Sequence, residues 1–253
     1  MPWQKPKTDW AVEDGVMNDD LNRIEGNIEY LFDNAASQAA EALTYYVAPS
    51  PTGNDANDGL TAETPFATIQ RALDAIPKNL NGFEARIVLA HGSYNGFTAD
   101  GYSGGTLTFT GAVTADIYIM SEILISNCYK VQVTGMGSFI VRSTMRITDT
   151  FSVILTENCT VSSTLTDAVV VDRSNVIFTL SLSATGASTS TSLVADNNSN
   201  VFVESLLIGV SGTGIEVDRG SKVSYSNVTN RATSATFQRR GGRILTGSTG
   251  GIS

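Results

Sequence analysis

The hydrophobic positions of this chain follow two different periods, and the change of period divides it. From Leu21 they fall at Leu21, Ile24, Ile28 and Leu31, then Ala35, with Gln38 and Ala42 continuing the frame in steps of three and four. Alternation of three and four is the a/d seam of a coiled coil, here about three heptads long. The alternative is a helix lying on its own domain, which ordinarily carries a wider apolar stripe. Asp19 or Asp20 is the expected N-cap.

The segment "YYVAPSPTGNDANDGLTAETPFATIQRALDAIP" follows. "YYVA" predicts a short strand, and "PTGNDANDG" is dense in residues that tolerate positive φ or bond their own backbone. Thr64 then predicts a cap, Pro65 a first helical position and Pro77 a stop, giving a helix over 65–76. Its apolar face is Phe66, Ile69, Leu73 and Ile76. A short amphipathic helix ahead of a long β region suggests a lid on an exposed sheet end.

After that the period becomes two and the chain repeats. "ILISNCYKVQV", "MRITDTFSVIL", "VVVDRSNVIF", "LVADNNSNVFV" and "IEVDRGSKVSY" share one pattern. Apolar residues two apart lead into a turn rich in Asn, Asp and Ser, and a valine opens the next alternating strand. Those valines, Val131, Val153, Val176, Val201 and Val223, lie 22, 23, 25 and 22 residues apart, a mean of 23. "LTF" at Leu107–Phe109 reads as a degenerate earlier turn. A period this short excludes propeller blades, and the leucine and asparagine consensus of leucine-rich repeats is missing. A parallel β-helix fits, each period being one coil stacked about 4.8 Å above the last. Five to seven coils are expected. Open sheet ends make caps obligatory.

Charge narrows the partners. The net charge is −9 with a sequence pI near 4.6, so a phosphate-binding surface is not expected and neither is nucleic acid. No apolar run approaches a membrane span and no signal-peptide core follows "MPWQKPK", so membrane insertion and Sec-type secretion are not indicated. Cys128 and Cys159 form no CxxC; they suit a reducing compartment or indifference to redox state, and both are expected as free thiols. No cofactor or metal cluster is indicated.

Two stretches resemble known families. The "YYVAPSPTGNDANDGLTAETPFATIQRALDAIP" segment looks like the opening of right-handed β-helix domains in phage tail spikes and pectate-lyase-like proteins. "PKTDWAVEDGVMNDDLNRIEGNIEYL" is similar to segments that begin tail-fibre and baseplate proteins of phages and prophages. The resemblance implies a mainly β, right-handed parallel β-helix preceded by a short coiled-coil stem, trimeric, with an N-terminal piece that joins the particle. Residues 1–44 are then the attachment peptide and stem, 45–230 the β-helix and 231–253 a C-terminal extension. Trp3 and Trp10 are docking candidates, since Trp is a favoured interface anchor, or they staple onto the stem. The function implied is that of a virion tail or baseplate protein, assembled in the bacterial cytoplasm, that binds a host surface carbohydrate. A polysaccharide depolymerase and a baseplate spacer without a ligand are the alternatives.

Candidate chemistry is sparse. His91 in "LAHGSYNG" is the single histidine, and no serine has a nucleophile-elbow context. "SGGTLTFTG" precedes no helix and is no phosphate loop. Asp172, Asp196 and Asp218 are the catalytic candidates, because stacking would bring their carboxylates to about 5 Å, the separation of a retaining glycosidase pair and one that also suits Ca²⁺. The competing reading is a turn ladder, since Asp and Asn bond turn backbone; Asn127 and Asp149 in neighbouring places agree with it. Arg231, Arg239, Arg240 and Arg243 near the C-terminus could wrap a neighbour, close the solenoid or bind an acidic glycan.

Overall fold

The computed structural model describes residues 18–35, 38–111, 115–156, 158–163, 167–185, 191–208, 213–230 and 238–246. Trp3, Trp10 and Arg231 lie outside them. The architecture is a parallel β-solenoid, mainly β with few helices, and every strand pair in its sheets is parallel.

Each coil has three faces. The first is built from Leu43–Val47, Glu84–Leu89, Thr106–Gly111, Lys130–Thr134, Ser152–Leu155, the leading halves of Asn175–Thr185, Asn200–Ile208 and Lys222–Asn230, and Arg243–Thr246. The second holds Gly92–Tyr94, Asp116–Ile119, Ser138–Val141, Asn158–Ser162 and the trailing halves of the long strands. The third is a seven-stranded sheet running from Phe97–Asp100 through Ile123–Ser126, Met145–Thr148, Val169–Asp172, Thr191–Asp196 and Thr213–Asp218 to Gln238–Arg240.

The valine repeat is the reason for this stacking. Val131 pairs with Val153, Val153 with Val176, Val176 with Val201 and Val201 with Val223, all of them buried. The column extends upward through Leu107, Ala85 and Leu43, and downward to Ile244. "LTF" is therefore a full member of the repeat, and two further coils precede the first valine. Alternate residues point inward along each strand, which puts Phe109, Phe139, Phe178 and the valines into one continuous core.

Cys128 sits in the turn from the third face to the first, and Cys159 on the second face; both are buried and free. Burial pushes the Cys159 thiol up to about 12 and raises Cys128 as well, so both stay protonated and inert near neutral pH.

The lid is present, but its helix is shorter than 65–76. It spans Ile69–Ala75, capped by Thr68, whose hydroxyl accepts from the Arg71 N–H at 3.2 Å. Thr64 and Pro65 fall outside it because Phe66 is engaged in extended backbone pairing. Its N–H donates to Tyr46 O and its carbonyl accepts from the Ala48 N–H, each at 2.9 Å, which covers the edge strand. The four expected apolar residues are all buried, Phe66 and Ile76 flanking the helix. Asp55 secures the lid: its Oδ1 accepts from the N–H groups of Ala67 and Thr68, and its Oδ2 from the Thr68 hydroxyl.

The N-terminal helix spans Asn18–Ala35, so Asp19 and Asp20 lie in its first turn, where they complement the positive helix end, and neither is the N-cap. Leu21, Ile24 and Ile28 are exposed, at 48%, 44% and 60%, whereas Asn27 is buried. At these three positions the apolar seam is open to solvent. Leu31 lies in the helix.

Candidate functional site on the turn edge

The turn from the third face to the first repeats in every coil and forms a polar edge along the solenoid. Third-face strands end in a column of Asp100, Ser126, Thr148, Asp172 and Asp196, paired in that order. Asp218 continues it, since Ala195 pairs with Val217 just before. Next in each coil comes a left-handed residue: Gly101, Asn127, Asp149, Arg173, Asn197, Arg219 and Gly241, with φ between 45° and 88°. A non-glycine residue there costs about 1 kcal/mol or more, so five such residues in a row need compensation.

The compensation is visible. The residue that follows the left-handed position, or comes one later, points inward as Thr150, Ser174, Ser199 or Ser221, all buried. The backbone N–H groups of Cys128, Thr150, Ser174 and Ser199 each donate to the hydroxyl of the next coil, at 3.4, 3.0, 3.3 and 3.0 Å. The Thr150 and Ser174 hydroxyls in turn donate to the Thr148 and Asp172 carbonyls of their own coils. Buried turn donors are satisfied along the whole edge.

The three candidate carboxylates belong to this scheme. Asp196 and Asp218 accept from the N–H groups of Asn197 and Arg219, each at 2.8 Å. Asp172 accepts from the Asn197 side-chain amide at 2.7 Å and pairs with Arg173 at 2.9 Å. Arg173 also forks onto Asp149, which holds the Asp149 carboxyl below the ordinary aspartate range. Asp100 is lowered likewise by the Ser126 hydroxyl and the Asn127 amide. The structure thus aligns Asp172 with Asp196 and engages all three acids as acceptors of turn donors. Among the described residues, no group of three or more His, Cys, Asp or Glu is placed to hold a metal ion. His91 is exposed, away from this edge, and meets Tyr118 edge-on.

One feature of the edge is hidden in a count along the chain. Counting from the valine puts Asp172 one residue out of step with Asp196 and Asp218; along the third face the offset vanishes. The later coils absorb their extra residue as a second left-handed position, at Asn198 and Gly220. The two earlier coils absorb theirs as an aromatic residue that follows the inward one, Tyr129 after Cys128 and Phe151 after Thr150. These rings stack at 5.3 Å with an interplanar angle of 4° and are exposed, at 50% and 64%. An aromatic pair therefore lies on the same turn edge, in the two coils ahead of Asp172. Counted from the left-handed residue to the valine, the sequence signal is "NCYK" and "DTFS" against "RSN", one residue longer.

Replacing Asp172, Asp196 and Asp218 singly by Asn is expected to keep the fold, since Asn supplies an acceptor oxygen at the same place. The lost surface ion pairs are worth about 0–1 kcal/mol. Surface polysaccharide incubated with the purified protein is expected to release no reducing ends. Release that disappears in Asp196→Asn or Asp218→Asn would make the column an acid–nucleophile pair.

The class that fold and edge define is a capped parallel β-solenoid with a polar turn ladder. Comparisons with protein-family models, with curated proteins and with solved structures give no match.

Proposed function

We propose that this chain is a homotrimeric tail or baseplate protein of a phage or prophage that attaches the particle to a carbohydrate of the host surface. In this reading the solenoid is right-handed, residues 1–44 dock on the particle and trimerise, and the solenoid presents the receptor-binding surface. The observation that carries it is the stem. Leu21, Ile24 and Ile28 form an apolar seam left open to solvent, placed ahead of a solenoid whose top is already closed by its own lid. Such a seam on a short helix is stable only when other copies cover it.

Size-exclusion chromatography with light scattering tests this. The unmutated protein is expected at three times the 26.8 kDa chain mass. Ile28→Asp, or Ile24→Asp, is expected to shift the mass towards the monomer, because a charge at a seam position resists desolvation. A monomeric unmutated protein would remove the proposal. An unchanged trimer in both variants would move assembly from the stem to the solenoid faces.

A further inference from the structure

Among the residues whose exposure is described, no other Phe or Tyr is as open to solvent as Tyr129 and Phe151. Each is the extra residue of its turn, so neither is needed to close the coil or fill the core. The stack is also isolated at both ends. In the following coil Asn175 comes directly after Ser174 and opens the strand; its side-chain amide donates to the Phe151 carbonyl at 2.9 Å, so no third ring continues the stack below Phe151. In the preceding coil the Tyr129 N–H donates to the Tyr102 carbonyl at 2.7 Å, as the Phe151 N–H does to Cys128, so the place above Tyr129 falls to Ser103, which carries no ring. Two parallel rings thus stack on each other, with small polar residues rather than rings above and below, and both stay open to solvent.

The same turns and the one below them carry polar groups that are held in place. The Arg173 guanidinium is fixed between Asp149 and Asp172, and the Asn127 amide donates to Asp100 at 2.8 Å. Two rings are too small for a protein partner, which covers about 800 Å² a side. Stacked nucleobases suit exposed rings equally well, but a chain of net charge −9 repels the phosphates that would accompany them. A neutral or cationic sugar has neither difficulty. Its flat C–H face matches an exposed ring, and its hydroxyls find planar donors and acceptors already oriented.

We propose that Tyr129 and Phe151 are the stacking platform of a carbohydrate-binding site, taking a pyranose ring with its hydroxyls directed to the Asp149–Arg173 pair and Asn127. The proposal rests on the attachment reading only for the source of the sugar, and it gives that sugar a place on the turn edge.

The test uses the full-length protein on an array of bacterial capsular and cell-wall polysaccharides and β-1,4-linked N-acetylglucosamine oligomers, followed by calorimetric titration of the strongest binder. The double variant Tyr129→Ala/Phe151→Ala is expected to bind at least tenfold more weakly with its melting temperature and oligomeric mass unchanged, while Tyr129→Phe keeps the affinity. Undiminished binding by the double variant would place the glycan elsewhere and overturn the site, leaving the attachment reading intact. A fall in oligomeric mass on the double substitution would make the rings a contact between copies and overturn it too. Failure of the unmutated protein to bind any probe would remove both the site and the carbohydrate half of the attachment reading.

Discussion

Val176→Asp is expected to abolish soluble expression. Val176 is 1% exposed and sits in the middle of the column, paired with Val153 above and Val201 below. The new carboxylate would be enclosed by Val153, Val201 and the rest of the core, none of which can pair with it. An uncompensated buried charge costs several kcal/mol, a large part of the 5–15 kcal/mol that holds a typical domain together. The loss would not stay local, because a solenoid coil draws its stability from the coils it touches, and breaking a central one uncaps both halves. Ile177, the next residue, points outward and is 37% exposed, so Ile177→Asp serves as the control and is expected to stay soluble. Expression of the pair with far-UV circular dichroism decides the matter. A soluble Val176→Asp protein with a cooperative melt would mean that the valine column is not the core.

Asp55→Ala is expected to lower stability by about 2–4 kcal/mol, the sum of charge-assisted hydrogen bonds discounted for partial solvent access. One carboxylate takes three bonds, at 2.8, 2.9 and 2.9 Å, from the segment that leads into the lid helix. Removing it frees Thr68, the helix cap, and loosens Phe66 over the edge strand. Asp55→Asn keeps an acceptor for the two backbone donors and should lose roughly half as much. Urea denaturation gives the stability. Limited proteolysis should show cleavage near residues 55–68 in Asp55→Ala before any cut in the valine coils. A loss below about 0.5 kcal/mol, within the range of an ordinary surface substitution, would mean that the lid is held by its apolar contacts alone.

These expectations rest on different parts of the chain, and the sequence exposed them unequally. The solenoid core was legible because inward residues must be apolar and must recur once per coil; a repeat of that kind survives in the order of residues alone. The lid was legible as an element but not in its limits. Thr64-Pro65 is a sound helix start in isolation, yet pairing of Phe66 with the edge strand claims that backbone first, and the cap passes to Thr68.

The turn edge shows the division most clearly. Asp and Asn in the turns announced a ladder, since their side chains bond local backbone wherever they occur. The stack of Tyr129 on Phe151 did not announce itself, because these residues lie 22 apart and meet only when the strands on either side set the register. Whether an inserted residue becomes a second left-handed position or an outward ring is decided in the folded coil. The sequence alone determined what must be buried, because burial depends on residue type and period. Which exposed groups come to share one edge was decided by the tertiary structure, because that depends on how many residues each turn consumes before the next strand finds its partner.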